Sequence, residues 1–262
     1  MLSTVDIGNT NIKMGFFEKD ELKFTVTFST KLKRTADEYA SDLYSLMRVN
    51  GVKKSDIDGC IFSSVVPQIN ERIVTAFEQV CSVTPLIVGP GVKTGLNIKI
   101  EDPSTLGADM VAACVAANHY YTNPAIIITL GTATTFCVID KKGDMIGVPI
   151  APGVNISLEA LTQGTALLHS VSLEAPKSVI GKNTDKSIRA GVVWGTVCMI
   201  DGMIKKIEDE LGETCTLVAT GGLADSIIKN CSHDIEIRPD LIMQGLRLIY
   251  ERNKKREIRN EE

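Results

Sequence analysis

Asp6-Ile7-Gly8-Asn9-Thr10-Asn11 at the head of the chain and Thr129-Leu130-Gly131-Thr132-Ala133-Thr134-Thr135 near its middle read as two copies of one turn. Each copy follows a short apolar run, Leu2 to Val5 in the first and Ala125 to Ile128 in the second, and each leads into another apolar stretch. That pattern predicts strand, tight turn, strand. A polar turn follows at the same offset in both, Glu18-Lys19-Asp20-Glu21 and Lys141-Lys142-Gly143-Asp144, so the chain reads as an internal repeat divided almost in half. Glycine lets backbone amides approach an anion closely, and Thr and Asn side chains add donors, so phosphate is the natural guest. Gly-Asn-Thr is also an ordinary hairpin turn that needs no ligand.

With 262 residues, 44% of them hydrophobic, the chain can bury a substantial core without staples. A net charge of −4 supplies none of the basic field that nucleic acid or an anionic membrane attracts, so neither is an expected partner. The basic tail from Arg247 to Arg256 reads as a solvated helix end. No apolar run reaches the ~18 residues of a membrane span, and the chain enters a strand directly instead of a signal peptide, so a cytoplasmic location is expected. The seven cysteines form no C-x-x-C pair and lie mostly in apolar segments, which predicts buried free thiols. His119, His169 and His233 are too dispersed for a histidine metal site.

Beyond the first hairpin, Thr35-Ala36-Asp37-Glu38 has the form of a capping box and opens a helix over 36–50. Cys60 to Val66 predicts a buried strand, Pro85 to Val88 another, and the segment with Ile73, Phe77 and Val80 a helix between them. The Ala-rich 106–121 stretch predicts a helix linking the halves, and Asp185 to Leu211, stopped by Gly212, the longest helix. Thr214 to Ala219 reads as a strand, with helices over 223–231 and 240–253. Strands and helices alternating in two similar halves predict α/β domains, 1–117 and 118–262, with a cleft between them.

Two further clusters could carry chemistry. In Asp102-Pro103-Ser104-Thr105-Leu106-Gly107-Ala108-Asp109, Asp109 falls at a helix start, where amides and the helix dipole favour a carboxylate. It is either a plain N-terminal helix residue or a general base for a hydroxyl attacking a γ-phosphate. Ala219-Thr220-Gly221-Gly222-Leu223 joins a strand to a helix and lets backbone lie against a nucleotide, though such junctions also occur without ligands. In Gly181-Lys182-Asn183-Thr184, Asn183 or Thr184 can cap the long helix.

Taken in this order, the two turns, the acidic helix start and the Thr-Gly-Gly turn resemble the actin, hexokinase and heat-shock ATPase superfamily, whose duplicated domains are ribonuclease H-like. More narrowly, the chain resembles type III pantothenate kinase. The match includes Ser63-Ser64-Val65-Val66-Pro67, Leu106-Gly107-Ala108-Asp109, Gly131-Thr132-Ala133-Thr134-Thr135, Ala151-Pro152-Gly153 and Ile180-Gly181-Lys182-Asn183-Thr184. The resemblance implies ATP-dependent phosphorylation of pantothenate, the opening step of coenzyme A synthesis. It implies that Asp6, Ile7, Gly8, Asn9, Thr10, Asn11, Ile12 and Lys13 hold the ATP phosphates, with Asp6 near magnesium and Thr132 also touching ATP. Gly107, Ala108, Asp109 and Met110 would line the pantothenate site, Asp109 as proton acceptor, and Thr184 would help hold the substrate. It further implies a homodimer, with the helix of Trp194 in or near the interface, and a potassium or ammonium ion besides magnesium.

Three positions depart from the family pattern. Met110 stands where an Arg belongs, and Thr129 and Cys137 replace two aspartates. Losing a guanidinium removes a fixed charge and up to five donors. If that Arg pairs with the pantothenate carboxylate, affinity drops by roughly 2 kcal/mol or more. Thr129 occupies the monovalent-cation position, where a hydroxyl is a poorer ligand than a carboxylate. Weak or lost activity, a ligand-binding paralogue, or a kinase for another small hydroxylated substrate are the alternatives these departures raise.

Overall fold

The computed structural model describes residues 1–165 and 167–261. Its first elements are strands Leu2–Ile7 (β1), Asn11–Glu18 (β2) and Glu21–Ser29 (β3), helix Ala36–Val49 (α1), strand Gly59–Ser64 (β4), helix Asn70–Cys81 (α2) and strand Leu86–Ile87 (β5). Then come Asn97–Ile98 (β6), Ala108–Tyr120 (α3), Ala125–Leu130 (β7), Ala133–Ile139 (β8), Asp144–Gly147 (β9), Ile150–Pro152 (β10), Val154–Gln163 (α4) and Thr184–Leu211 (α5). Thr216–Thr220 (β11), Ala224–Ile227 (α6), Glu236–Ile237 (β12) and Leu241–Glu261 (α7) complete the chain.

These elements form two compact units, one of Met1–Gly95, Asp102–Ala116 and the chain from Leu241 on, the other of Leu96–Glu101 and Ala117–Asp240. The expected second half ran through residue 262, whereas α7 packs on the first sheet: Met243, Leu246 and Ile249 bury against Phe17 and Ile61. Each unit is built on a mixed sheet. The first has the order β3-β2-β1-β4-β5, antiparallel across β1, β2 and β3 and parallel from β1 to β4 and β5. In the second the order β9-β8-β7-β11-β12 repeats it, extended by β6 beside β9 and β10 beside β8.

Alternation sorts the side chains of β1 onto two faces. Val5 and Ile7, with Ile12, Met14 and Phe62, pack under Tyr39, Leu43 and Met47 of α1 and Ile73 and Phe77 of α2. In the second unit Ile126, Ile128, Leu130, Phe136 and Val138 pack under Val193, Val197, Ile200 and Ile204 of α5. Asp6 and Thr129 are therefore both on the face turned away from these helices. The Thr35 capping box forms as its sequence requires, with Glu38 N donating to Thr35 Oγ1 and Thr35 N to Glu38 Oε2. Gly212, at φ 72°, ends α5.

Several expectations need correction. Arg247 is not solvated: it is 5% exposed, lies over the Phe17 ring and pairs with Asp20 at 2.8 Å and Glu251 at 2.6 Å. Its long stem covers apolar surface while its head reaches carboxylates, which a charge count along the tail does not reveal. Contrary to the expectation for the whole chain, α5 is long and apolar enough to cross a membrane by length and composition. Its apolar stripe lies in the second core, which accounts for that composition. All seven cysteines are free, and Cys198 is exposed, because it falls on the outer side of α5. The short strands β6, β10 and β12 are not legible in the sequence, because two or three residues carry no periodic signal.

Candidate active site

In the first sheet, register seats Asp6 between Lys13 of β2 and Ser63 of β4. Ser63 is fully buried, and its hydroxyl donates to Asp6 Oδ1 at 2.8 Å. Burial, and after it the nearby negative charge of Asp109, pushes the Asp6 carboxyl up to about 7, against the pull of the Ser63 hydrogen bond and Lys13. Two carboxyl groups from distant parts of the sequence thus feel one another's charge within one unit.

Asp109 sits in the first turn of α3, a helix whose Ala112, Ala113 and Ala116 are completely buried. Small side chains let this helix pack closely, and α7 answers with Gly245, where an added Cβ would run into the Ala112 backbone. At the head of α3 a Cβ on Gly107 would collide with Asp109 Oδ1 and come within 3.0 Å of the Met110 methyl, so glycine makes room for the folded-back carboxylate. That Oδ1 is shut off from solvent and has no hydrogen-bond partner. Burial raises the Asp109 carboxyl above its ordinary range, and the amides of Met110 and Asp109 pull the other way.

The first turn is tied from behind. Gly8 N donates to Asn11 O at 3.0 Å, while Thr30 donates through its amide to Thr10 O at 2.9 Å and through its hydroxyl to Gly8 O at 2.6 Å. Asn9, Thr10 and Asn11 are exposed. Ile7 and Ile12 are core residues with no exposed surface, so only their main chain can reach a ligand.

In the second unit Gly131 N donates to Ala133 O and Gly153 N to Thr132 O, both at 3.1 Å. A Cβ on Gly153 would strike the Gly131 and Thr132 carbonyls, and one on Gly221, at φ +104°, the Leu130 backbone. Ala151-Pro152-Gly153 and Thr220-Gly221-Gly222 therefore both brace the second turn. Thr132 is exposed, and Thr129 lies between Thr135 of β8 and Thr220 of β11. Cys137 is fully buried opposite Ile127, as a core residue would be. Asn183 caps α5, accepting from Lys186 N at 2.9 Å, and leaves Thr184 exposed on its first turn beside Asp185, which His169 meets at 2.8 Å.

Ser63 and Gly245 had no role assigned from sequence. Ser63 shares a strand face with Ile61, and only the pairing of β4 with β1 brings it to Asp6. An isolated glycine inside the α7 pattern was the available signal for Gly245.

The duplicated α/β chain, with its two mixed sheets of one strand order, has the actin-like ATPase fold. The model of the family described as type III pantothenate kinase matches residues 2–206. A type III pantothenate kinase of Brevibacillus brevis is 43% identical over 253 residues, covering 97% of this chain and 99% of the relative. Another, from Roseiflexus sp., is 42% identical over 254 residues, covering 97% and 100%. Among solved structures, the activator of the 2-hydroxyisocaproyl-CoA dehydratase from Clostridium difficile shares the fold, with a TM-score of 0.54 and 11% identity over 100% of this chain and 97% of that one. The chain belongs to the type III pantothenate kinase family, enzymes that phosphorylate pantothenate with ATP at the opening of coenzyme A synthesis. Full-length similarity of this kind gives no support to the expectation of impaired activity.

Proposed function

We propose that Asp109 is the proton acceptor of this kinase, with the pantothenate hydroxyl delivered to its buried oxygen. The observation that carries this reading is the unpartnered Asp109 Oδ1, enclosed at a helix start and given room by Gly107. A base must keep a lone pair free for the proton and sit within hydrogen-bond reach of the hydroxyl it serves. The turn between Asp6 and Lys13, with the side chains of Asn9, Thr10 and Asn11, would hold the ATP phosphates, and Thr132 would add a contact from its own turn. Gly107, Ala108 and Met110 would line the pantothenate site, Met110 offering an apolar contact and no charge, and Thr184 would donate a hydroxyl. In-line transfer then needs little beyond positioning and charge neutralisation.

Magnesium fits the first unit. The Asp6 carboxyl is raised by burial and by a second carboxylate, so a divalent cation relieves both penalties. When bound, it neutralises the charge on the triphosphate oxygens. Ser63 holds one oxygen of Asp6, and this carboxylate would hold the metal. The monovalent cation implied by the family resemblance does not fit Thr129, whose register neighbours are neutral hydroxyls. The reading includes a cytoplasmic homodimer. On α5, Gly191, Gly195 and Gly202 each have open space where a side chain would stand, which gives a second copy room to approach.

Phosphopantothenate formation by the purified protein with ATP and magnesium tests the reaction. Product that appears only with both supports it, and ATP hydrolysis with no acceptor phosphorylation contradicts it. Light scattering tests the dimer, which a monomer at micromolar concentration would contradict.

A further inference from the structure

Corresponding rows of the two sheets hold different chemistry. In the first, Lys13, Asp6 and Ser63 lie side by side across β2, β1 and β4. In the second, the same three strand positions hold Thr135, Thr129 and Thr220, across β8, β7 and β11. All three threonines share the face opposite the α5 core, above Cys137, Ile127 and Val218, which are 0% exposed. Thr135 is 6% exposed, and its Oγ1 is buried with no hydrogen-bond partner. The row itself offers a cation no opposing charge, whereas an anionic oxygen is well served by neutral O–H donors. The adjoining Gly131–Thr132 turn, tied back through Gly153, is of the kind that takes phosphate.

We propose that the Thr129, Thr135 and Thr220 hydroxyls donate directly to a phosphate oxygen of bound ATP, and that this kinase works without a monovalent cation. This rests on the reading of the second turn as an ATP contact. The orphan Thr135 hydroxyl supplies a donor that needs an acceptor, and the row leaves no carboxylate for potassium or ammonium to find.

The test measures magnesium-ATP affinity by calorimetry and phosphopantothenate formation by the native protein in potassium, ammonium and choline chloride at equal ionic strength. Affinity and rate should agree within about twofold across the three salts, the scale of a nonspecific screening change. A tenfold gain in either with potassium or ammonium would overturn the proposal. The isosteric Thr135→Val and Thr220→Val variants should weaken ATP binding severalfold equally in every salt, while unchanged affinity would remove the hydroxyls from the account. Thr129→Asp should acquire a potassium dependence that the native chain lacks; absence of that gain would show that the missing carboxylate is not what excludes the cation. The affinity arm stands without turnover. Salt-independent binding with no product would count against the kinase reading alone, and absence of ATP binding in every salt would overturn both.

Discussion

The two units have one strand order and one turn, yet they equip it differently. In the first, the residue two before the turn glycine is Asp6, held by Ser63 and raised by its surroundings; in the second it is Thr129, flanked by hydroxyls. Bracing also differs. Thr30 ties the first turn with a side chain and an amide, whereas the second is pressed by the bare backbones of Gly153 and Gly221. The two units thus share a scaffold and differ in what it carries, a carboxyl held by a hydroxyl in the first and a row of neutral hydroxyls in the second.

The largest way to break this asymmetry is to remove the charge. Asp6→Asn should lower kcat/KM by on the order of 100-fold and flatten its magnesium dependence, since a metal-held charge contributes several kcal/mol to such a reaction. It should have an opposite effect on stability. Folded Asp6 keeps its proton to about 7, while the unfolded chain releases it near the ordinary 3.8 of an aspartate. The folded state therefore binds more protons between these values, and stability falls as pH rises through them. Ligand-free Asp6→Asn should be more stable than the native protein at pH 8, by a margin that closes toward pH 4, as denaturant titration at each pH will show. A margin independent of pH would contradict the assignment.

Gly107→Ala tests positioning within the first unit. Its methyl displaces the Asp109 carboxylate, so kcat should fall by roughly 10- to 100-fold with ATP affinity unchanged, the scale of a misplaced catalytic group. Ser63→Ala leaves a buried Asp6 oxygen without its donor and should cost about 1–3 kcal/mol in transition-state stabilisation. Ser63→Thr, which keeps a hydroxyl, should recover most of that loss. Arg247→Met sharpens the comparison from outside the site: it should destabilise the first unit by about 2 kcal/mol through lost packing and pairing, with kcat unaltered.

Much of this was legible in the chain because local rules determine it. The repeated turns follow from apolar runs and glycine, α1 from its capping box, and the end of α5 from Gly212. Asp109 was visible because a proline and a glycine precede an Ala-rich helix. What stayed hidden depends on long-range pairing. Nothing local joins Ser63 to Asp6 across 57 positions, or sets Thr220 beside Thr129. The burial of Arg247 is hidden because Asp20, one of its carboxylate partners, and the Phe17 ring it covers lie far off in sequence. The close approach of α7 to α3 at Gly245 is likewise a property of the packed helices.

The most direct test of the central claim uses one preparation of Asp109→Asn, measuring both phosphopantothenate formation and ATP affinity. Turnover should fall by about 10²–10⁴-fold, the usual contribution of a positioned base, while ATP binds as it does to the native protein. Retained turnover, or ATP binding lost along with it, would contradict the assignment of Asp109 as proton acceptor.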